Sequence, residues 1–139
     1  DLQTKVALLQ SAEVFILPSL VEGLSIALLE AMATGTACIA TDAGADGEVL
    51  EGGAGIVMST EGVTSQLRTL IPLIKEHPAL THELGLRARK RVINKYTLER
   101  NINNLEMVYS SILKGKKHIK SSTNFSASLS SQNYSFNQS

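Results

Sequence analysis

The apolar residues fall into two spacings along the chain. Short continuous runs come first, and longer stripes of three-to-four spacing follow. Val6, Leu8 and Leu9 run into Gln10-Ser11-Ala12 and read as the end of a helix. Val14-Phe15-Ile16-Leu17 is unbroken and stopped by Pro18, which suits a strand covered on both faces in a parallel sheet. Ser19 to Gly23 reads as a loop, and Leu24 to Thr34 as a helix closed by Gly35. Ala37 to Ala40 is a second strand. Thr41 to Gly47 is a loop of small residues, and Glu48-Val49-Leu50 belongs to a short helix. Gly52-Gly53 turns the chain, and Gly55 to Met58 is a third strand. This alternation predicts a doubly wound α/β sheet with parallel strands and right-handed connections.

Beyond Ser59 the period lengthens. Val63, Leu67, Leu70, Ile71 and Ile74 recur at helical spacing. Pro78 opens a second helix that runs to about Tyr96. Thr97 is the N-cap of a third, with a stripe of Leu98, Ile102, Leu105, Val108, Tyr109 and Ile112. The last 26 residues, from Lys114, include eight serines among Asn and Gln, too few apolar groups to offset chain entropy. The expected organisation is a globular domain over 1–113 and a disordered tail over 114–139.

Composition changes the picture little. The 139 residues carry 13 basic and 13 acidic side chains, so the net charge is zero, and no global field argues for nucleic acid. The balance is uneven. All 13 acids lie in 1–113 against nine bases, giving −4, and the other four lysines lie in the acid-free tail. The tail is read as solvated and inert, with contact to anionic lipid through Lys114, Lys116, Lys117 and Lys120 as its alternative use. The run Arg87, Arg89, Lys90, Arg91, Lys95 is read as a solvated helix face. Cys38, the one cysteine, excludes an internal disulfide and sits in an apolar run, so it reads as a buried strand position. His77, His82 and His118 share no metal spacing. Gly52-Gly53-Ala54-Gly55 precedes a strand instead of following one, so it reads as a turn and not a phosphate loop. No apolar stretch approaches the ~20 residues of a membrane span. The chain starts without methionine, inside a helical pattern and with no signal peptide, which leads to the expectation of a truncated cytoplasmic protein.

The informative stretch is Pro18 to Gly35, which follows a buried strand and opens a helix. Ligands of open parallel sheets bind beyond the carboxyl ends of the strands. A loop there offers unpaired N–H groups and the positive end of a helix dipole, a natural seat for a diphosphate. Gly23 removes a side chain where backbone would approach a ligand. Glu22 precedes the helix and Glu30 lies within it. A carboxylate accepts two hydrogen bonds at once and suits the paired hydroxyls of a ribose or sugar. The plainer readings are a capping box over Ser19-x-x-Glu22 and a partly exposed helix glutamate at position 30.

Seven residues separate Glu22 from Glu30. With Pro18-Ser19 before them and Glu30-Ala31-Met32-Ala33 after, the block resembles the E-x7-E signature of the retaining GT-B glycosyltransferases (family GT4). The flanks Ala12-Glu13-Val14-Phe15, Gly35 to Asp42, Gly44 to Val49 and Tyr96 to Arg100 extend the resemblance over about residues 3–113. It implies a Rossmann-like domain, the C-terminal half of a GT-B fold, followed by closing helices. It implies that Glu30 holds the nucleotide ribose, that Glu22 acts catalytically at the donor sugar, and that Gly23, Leu24, Ser25 and Ile26 bind substrate. It further implies a nucleotide-sugar donor, an acceptor of unspecified class (glycan, lipid or small molecule), and no metal or other cofactor. The basic residues that neutralise the diphosphate, and the acceptor domain, would belong to a Rossmann-like domain upstream of residue 1. A closing helix without that partner would expose its apolar stripe. Asp46-Gly47 stands where a proline is common in the family. Two other functions compete: a truncated remnant that binds nucleotide or a partner without turnover, and a nucleotide-sugar epimerase.

Overall fold

The structure, a computed structural model, describes residues 1–119, with side chains through residue 114. The chain divides into two units, Asp1–Arg100 and the residues from Asn101 onward. The first unit holds α1 (Leu2–Ser11), β1 (Val14–Leu17), α2 (Ile26–Thr34), β2 (Ala37–Thr41), α3 (Asp46–Leu50), β3 (Ile56–Met58), α4 (Val63–Glu76) and α5 (Pro78–Lys95). The three strands are parallel in the order β1-β2-β3, with Ile16 opposite Ile39 and Ile39 opposite Ile56. The predicted Rossmann-like α/β architecture is therefore the observed one.

Strand periodicity divides the core. Successive side chains of β2 point to opposite faces. Cys38 and Ala40 join Leu28, Met32, Val49, Leu50, Ala88 and Val92 beneath α2, α3 and α5. Ile39 joins Met58 and Ile74 beneath α4, where Ile16, Ile56 and Leu67 also pack. All five residues of β2 are buried, which is why a central strand reads as an unbroken apolar run. The four residues of β1 are only half-buried, as befits an edge strand of this sheet.

The helix ends follow local chemistry. Asp1 caps α1 by accepting from the Thr4 N–H at 2.7 Å. Gly35, at φ +83, closes α2 in the left-handed conformation expected of it. The start of α2 differs from the sequence reading by two residues. Ser25, and not a residue of the Ser19-x-x-Glu22 box, is the N-cap, accepting from the Leu28 N–H at 3.3 Å. Similarly, α3 begins at Asp46 instead of Glu48.

The helix α6 (Leu98–Ile119) belongs for the most part to the second unit. Ile102, Leu105, Val108, Tyr109 and Ile112 form its stripe and are exposed. It continues past Lys114, where the tail was expected to lose structure. Lysine favours helix, and a single glycine at position 115 does not stop a helix already propagating. The remainder of the expected tail, from residue 120, lies outside the described residues.

Candidate functional site

Two loops meet at the carboxyl edge of the sheet. One joins β1 to α2 (residues 18–25), the other joins β2 to α3 (residues 42–45). They are zipped together through backbone. The Ala45 N–H donates to the Gly23 carbonyl at 2.8 Å. Gly44 has φ +59, and a Cβ there would collide with the carbonyl oxygen of Glu22 and come within 2.6 Å of that of Gly23. Only glycine satisfies both the left-handed backbone and this approach. The Thr41 hydroxyl donates to the Ser19 carbonyl, tying the end of β2 to the first loop.

Asp46 completes the clamp. Its side chain is 1% exposed, and its Oδ1 accepts from the Ser25 N–H at 3.0 Å. Its Oδ2 has no hydrogen-bond partner among the described residues. Sequence reasoning noticed Asp46 only as a departure at a position near a common proline. An acid set among small residues in the loop that follows a buried strand, Gly44-Ala45-Asp46-Gly47, was the available signal. Such an acid is either solvated or buried against backbone donors, and here it is buried.

The candidate residues distribute around this clamp. Glu22 is half-buried, and its Oε1 accepts from the Ser19 hydroxyl at 3.3 Å. The Ser19-Glu22 pair therefore forms, but in the loop and not at the helix start. Ser25 is buried, with its amide engaged by Asp46 and its Oγ engaged as the cap. The backbone N–H groups of Gly23, Leu24, Ile26 and Ala27 have no acceptor among the described residues. The side chains of Leu24 and Ile26 are exposed. The mouth of α2 thus presents backbone donors, groups able to accept an anionic ligand, and one carboxylate beside them, a group able to accept hydrogen bonds from hydroxyls.

Glu30 stands apart from Glu22. It lies on the flank of α2 that faces α1, where its Oε1 receives Lys5 Nζ at 2.6 Å. The pair borders a groove of about 260 Å³ that Leu2, Leu9, Thr34 and Arg89 also line. The structure places Glu22 at the loop and Glu30 on the helix flank, and each has its own partner. Lys5 escaped sequence reasoning because nothing local shows that α1 lies along α2.

One of the bases assigned to a solvated face, Arg91, is not so, whereas Arg89 is exposed as expected. Arg89 donates through Nη1 to the Ala33 carbonyl. Arg91, with its side chain only 15% exposed, donates to the carbonyls of Glu48 and Val49 at 2.6 Å each and so satisfies the C-terminal end of α3. Cys38 is fully buried, and burial pushes its thiol from 9.0 up to about 12. Among the described residues, no group of three or more His, Cys, Asp or Glu is placed to hold a metal ion, and no helix is long and apolar enough to cross a membrane.

The sheet, its carboxyl-edge loops and the open mouth of α2 define a Rossmann-like domain of the kind found in GT-B glycosyltransferases. The model of the family described as glycosyl transferases group 1 matches residues 2–76. This chain belongs to that family. The lipopolysaccharide core biosynthesis mannosyltransferase LpcC of Rhizobium leguminosarum bv. viciae is 36% identical over 100 residues, which cover 71% of this chain and 28% of that protein. The N-acetyl-alpha-D-glucosaminyl L-malate synthase of Bacillus anthracis is 32% identical over 114 residues, 81% of this chain and 30% of that protein. Sucrose-phosphate synthase from Thermosynechococcus elongatus shares the fold, with a TM-score of 0.72 at 24% identity over 83% of this chain and 29% of that one. The chain spans less than a third of the length of these relatives.

Proposed function

We propose that the protein to which this chain belongs transfers a sugar from a nucleotide-sugar donor to an acceptor hydroxyl with retained configuration. The observation that carries the reading is the mouth of α2. Four backbone donors with no acceptor among the described residues stand with the half-buried Glu22 on the carboxyl edge of a parallel sheet, in a chain of this family. The donors of Gly23, Leu24, Ile26 and Ala27 would stabilise the diphosphate as its bond to the sugar breaks. Glu22 would accept hydrogen bonds from sugar hydroxyls and steady the positive charge that develops on the ring. The acceptor oxygen would attack from the face the phosphate leaves, handing its proton to the departing phosphate oxygen. Positioning supplies most of the catalysis, and no metal enters the scheme.

Glu30 would hold the ribose. Its Oε1 is occupied by Lys5, which leaves Oε2 for a hydroxyl, and the exposed ion pair yields at small cost. The 139 residues by themselves are proposed to bind nucleotide without turnover, since they match only 28% and 30% of the length of these relatives.

Calorimetry with UDP and with GDP, on the chain and on Glu30→Ala, tests the ribose role. The expected loss is about 1–3 kcal/mol, the order of a lost charge-assisted hydrogen bond. Equal affinity in a folded variant would remove Glu30 from the site. In the intact protein, Glu22→Ala should lower kcat far more than it raises KM.

A further inference from the structure

A second cluster of polar groups lies at the other end of the sheet, away from the loops just described. The turn after α3 leads into β3, so it sits at the amino edge of a parallel sheet whose candidate site occupies the carboxyl edge. Between this turn and the second half of α5 is a cavity of about 410 Å³. Arg87, Lys90, Arg91, Asn94 and Lys95 line it at helical spacing, and Gly52 forms part of the facing wall.

Its chemistry is that of an anion receptor. Arg91 is fixed by the carbonyls of Glu48 and Val49 through Nε and Nη2, which leaves Nη1 uncommitted. Arg87 is held by Glu83 through Nε at 2.8 Å, which again leaves Nη1 uncommitted. Both Nη1 atoms point at the glycine turn. A Cβ on Gly52 would sit 3.6 Å from Nη1 of Arg91, and one on Gly53 would sit 3.2 Å from Nη1 of Arg87. The two glycines have φ +70 and +77, so the turn both requires glycine and keeps side chains out of the space between the guanidinium groups. The N–H groups of Gly52 and Gly53 have no acceptor among the described residues. Four of the nine bases in residues 1–100 line this one cavity, in a unit whose 12 acids outnumber them. The nearby acids, Glu51 and Glu83, neutralise half of that charge, and Glu51 is 3.9 Å from Arg91 with its side chain 70% exposed.

We propose that this cavity is a binding site for a phosphate-bearing anion, separate from the donor site and independent of how that site is read. The Arg91 guanidinium, fixed by backbone carbonyls, and the Arg87 guanidinium beside it supply planar donors, and Lys90 and Lys95 supply charge around them.

The test uses the 139-residue chain labelled for amide NMR and titrated with inorganic phosphate at constant ionic strength. The expected result is a saturable shift of the Gly52 and Gly53 amides and of the Asn94 side chain. The variant Arg87→Gln/Lys90→Gln/Lys95→Gln removes exposed charges, keeps Arg91, and should bind phosphate about tenfold or more weakly, as expected when several charge-assisted donors go together. Any phosphate response of the Ile26 and Ala27 amides, which reports the donor site, should be the same in both proteins. Absence of saturation at the glycine turn, or equal affinity in the variant, overturns the proposal. A second arm finds the source of the phosphate, using sedimentation with phosphatidylcholine vesicles with and without phosphatidylglycerol. Sedimentation that needs phosphatidylglycerol and is lost in the variant assigns a lipid headgroup. Phosphate binding without sedimentation assigns a soluble phosphoester.

Discussion

The two acids of the E-x7-E block are held by unlike means. Glu22 stands in a loop whose path is set by backbone: the Gly23 carbonyl receives Ala45, Gly44 presses on the Glu22 carbonyl, and buried Asp46 holds the Ser25 amide. Glu30 stands on a helix flank, and among the described residues its partner is an exposed lysine. The first region is tied by backbone hydrogen bonds and by a buried carboxylate. The second can exchange its partner at almost no cost. A group that must meet a reacting centre benefits from the first kind of support, and a group that grips and releases a ribose benefits from the second.

The strongest way to break the contrast is at Gly44. Gly44→Val adds a β-branched side chain at φ +59 against two carbonyl oxygens, and it should destabilise by about 3 kcal/mol or more. Urea unfolding measures this, and a loss below about 1 kcal/mol would mean that the loops separate freely. Next comes Asp46→Ala. It strands the buried Ser25 N–H and should cost about 2 kcal/mol, together with faster hydrogen exchange at Ser25 than at the Ala31 amide inside α2. Unchanged exchange would deny Asp46 its part in the clamp.

An effect absent at neutral pH acts on the sheet beneath both regions and should not distinguish them. The Cys38 thiol stays protonated in the folded chain up to about pH 12, whereas an ordinary thiol ionises at 9.0. Folding thus favours the protonated form. The stabilisation is complete below pH 9 and falls by about 1.4 kcal/mol per pH unit as pH rises from 9 towards 12. Cys38→Ala should flatten that slope, and an identical slope in the variant would assign it elsewhere. Least of all, Glu30→Ala should change stability by less than about 1 kcal/mol, because its ion pair is exposed. A larger loss would place Glu30 with the rigid region instead.

The parts of the fold that follow from local pattern were legible in the sequence. The unbroken apolar runs gave the strands of the sheet, because a strand covered on both faces has no polar positions to show. Gly35 marked the end of α2, because a left-handed cap favours glycine. What failed to show was what depends on long-range approach. Ser19 and Ser25 are both good caps locally, and only the docking of Asp46 on the Ser25 amide makes the second one the start of α2. The partnership of Lys5 with Glu30 spans 25 residues and depends on how α1 lies on α2. Arg91 looked like its neighbours on α5 until the C-terminal end of α3 was placed beneath it.

The contact of α5 with the sheet is made largely by residues without side-chain freedom. Gly85 lies against the backbone of Gly35, and Ala88 packs with Cys38 and Ala40. Glycine and alanine have no side-chain rotamers to adjust, so the helix meets the backbone beneath it directly. A methyl group at position 85 would collide with the Gly35 carbonyl oxygen, so even alanine there would wedge α5 away from the turn that leads into β2.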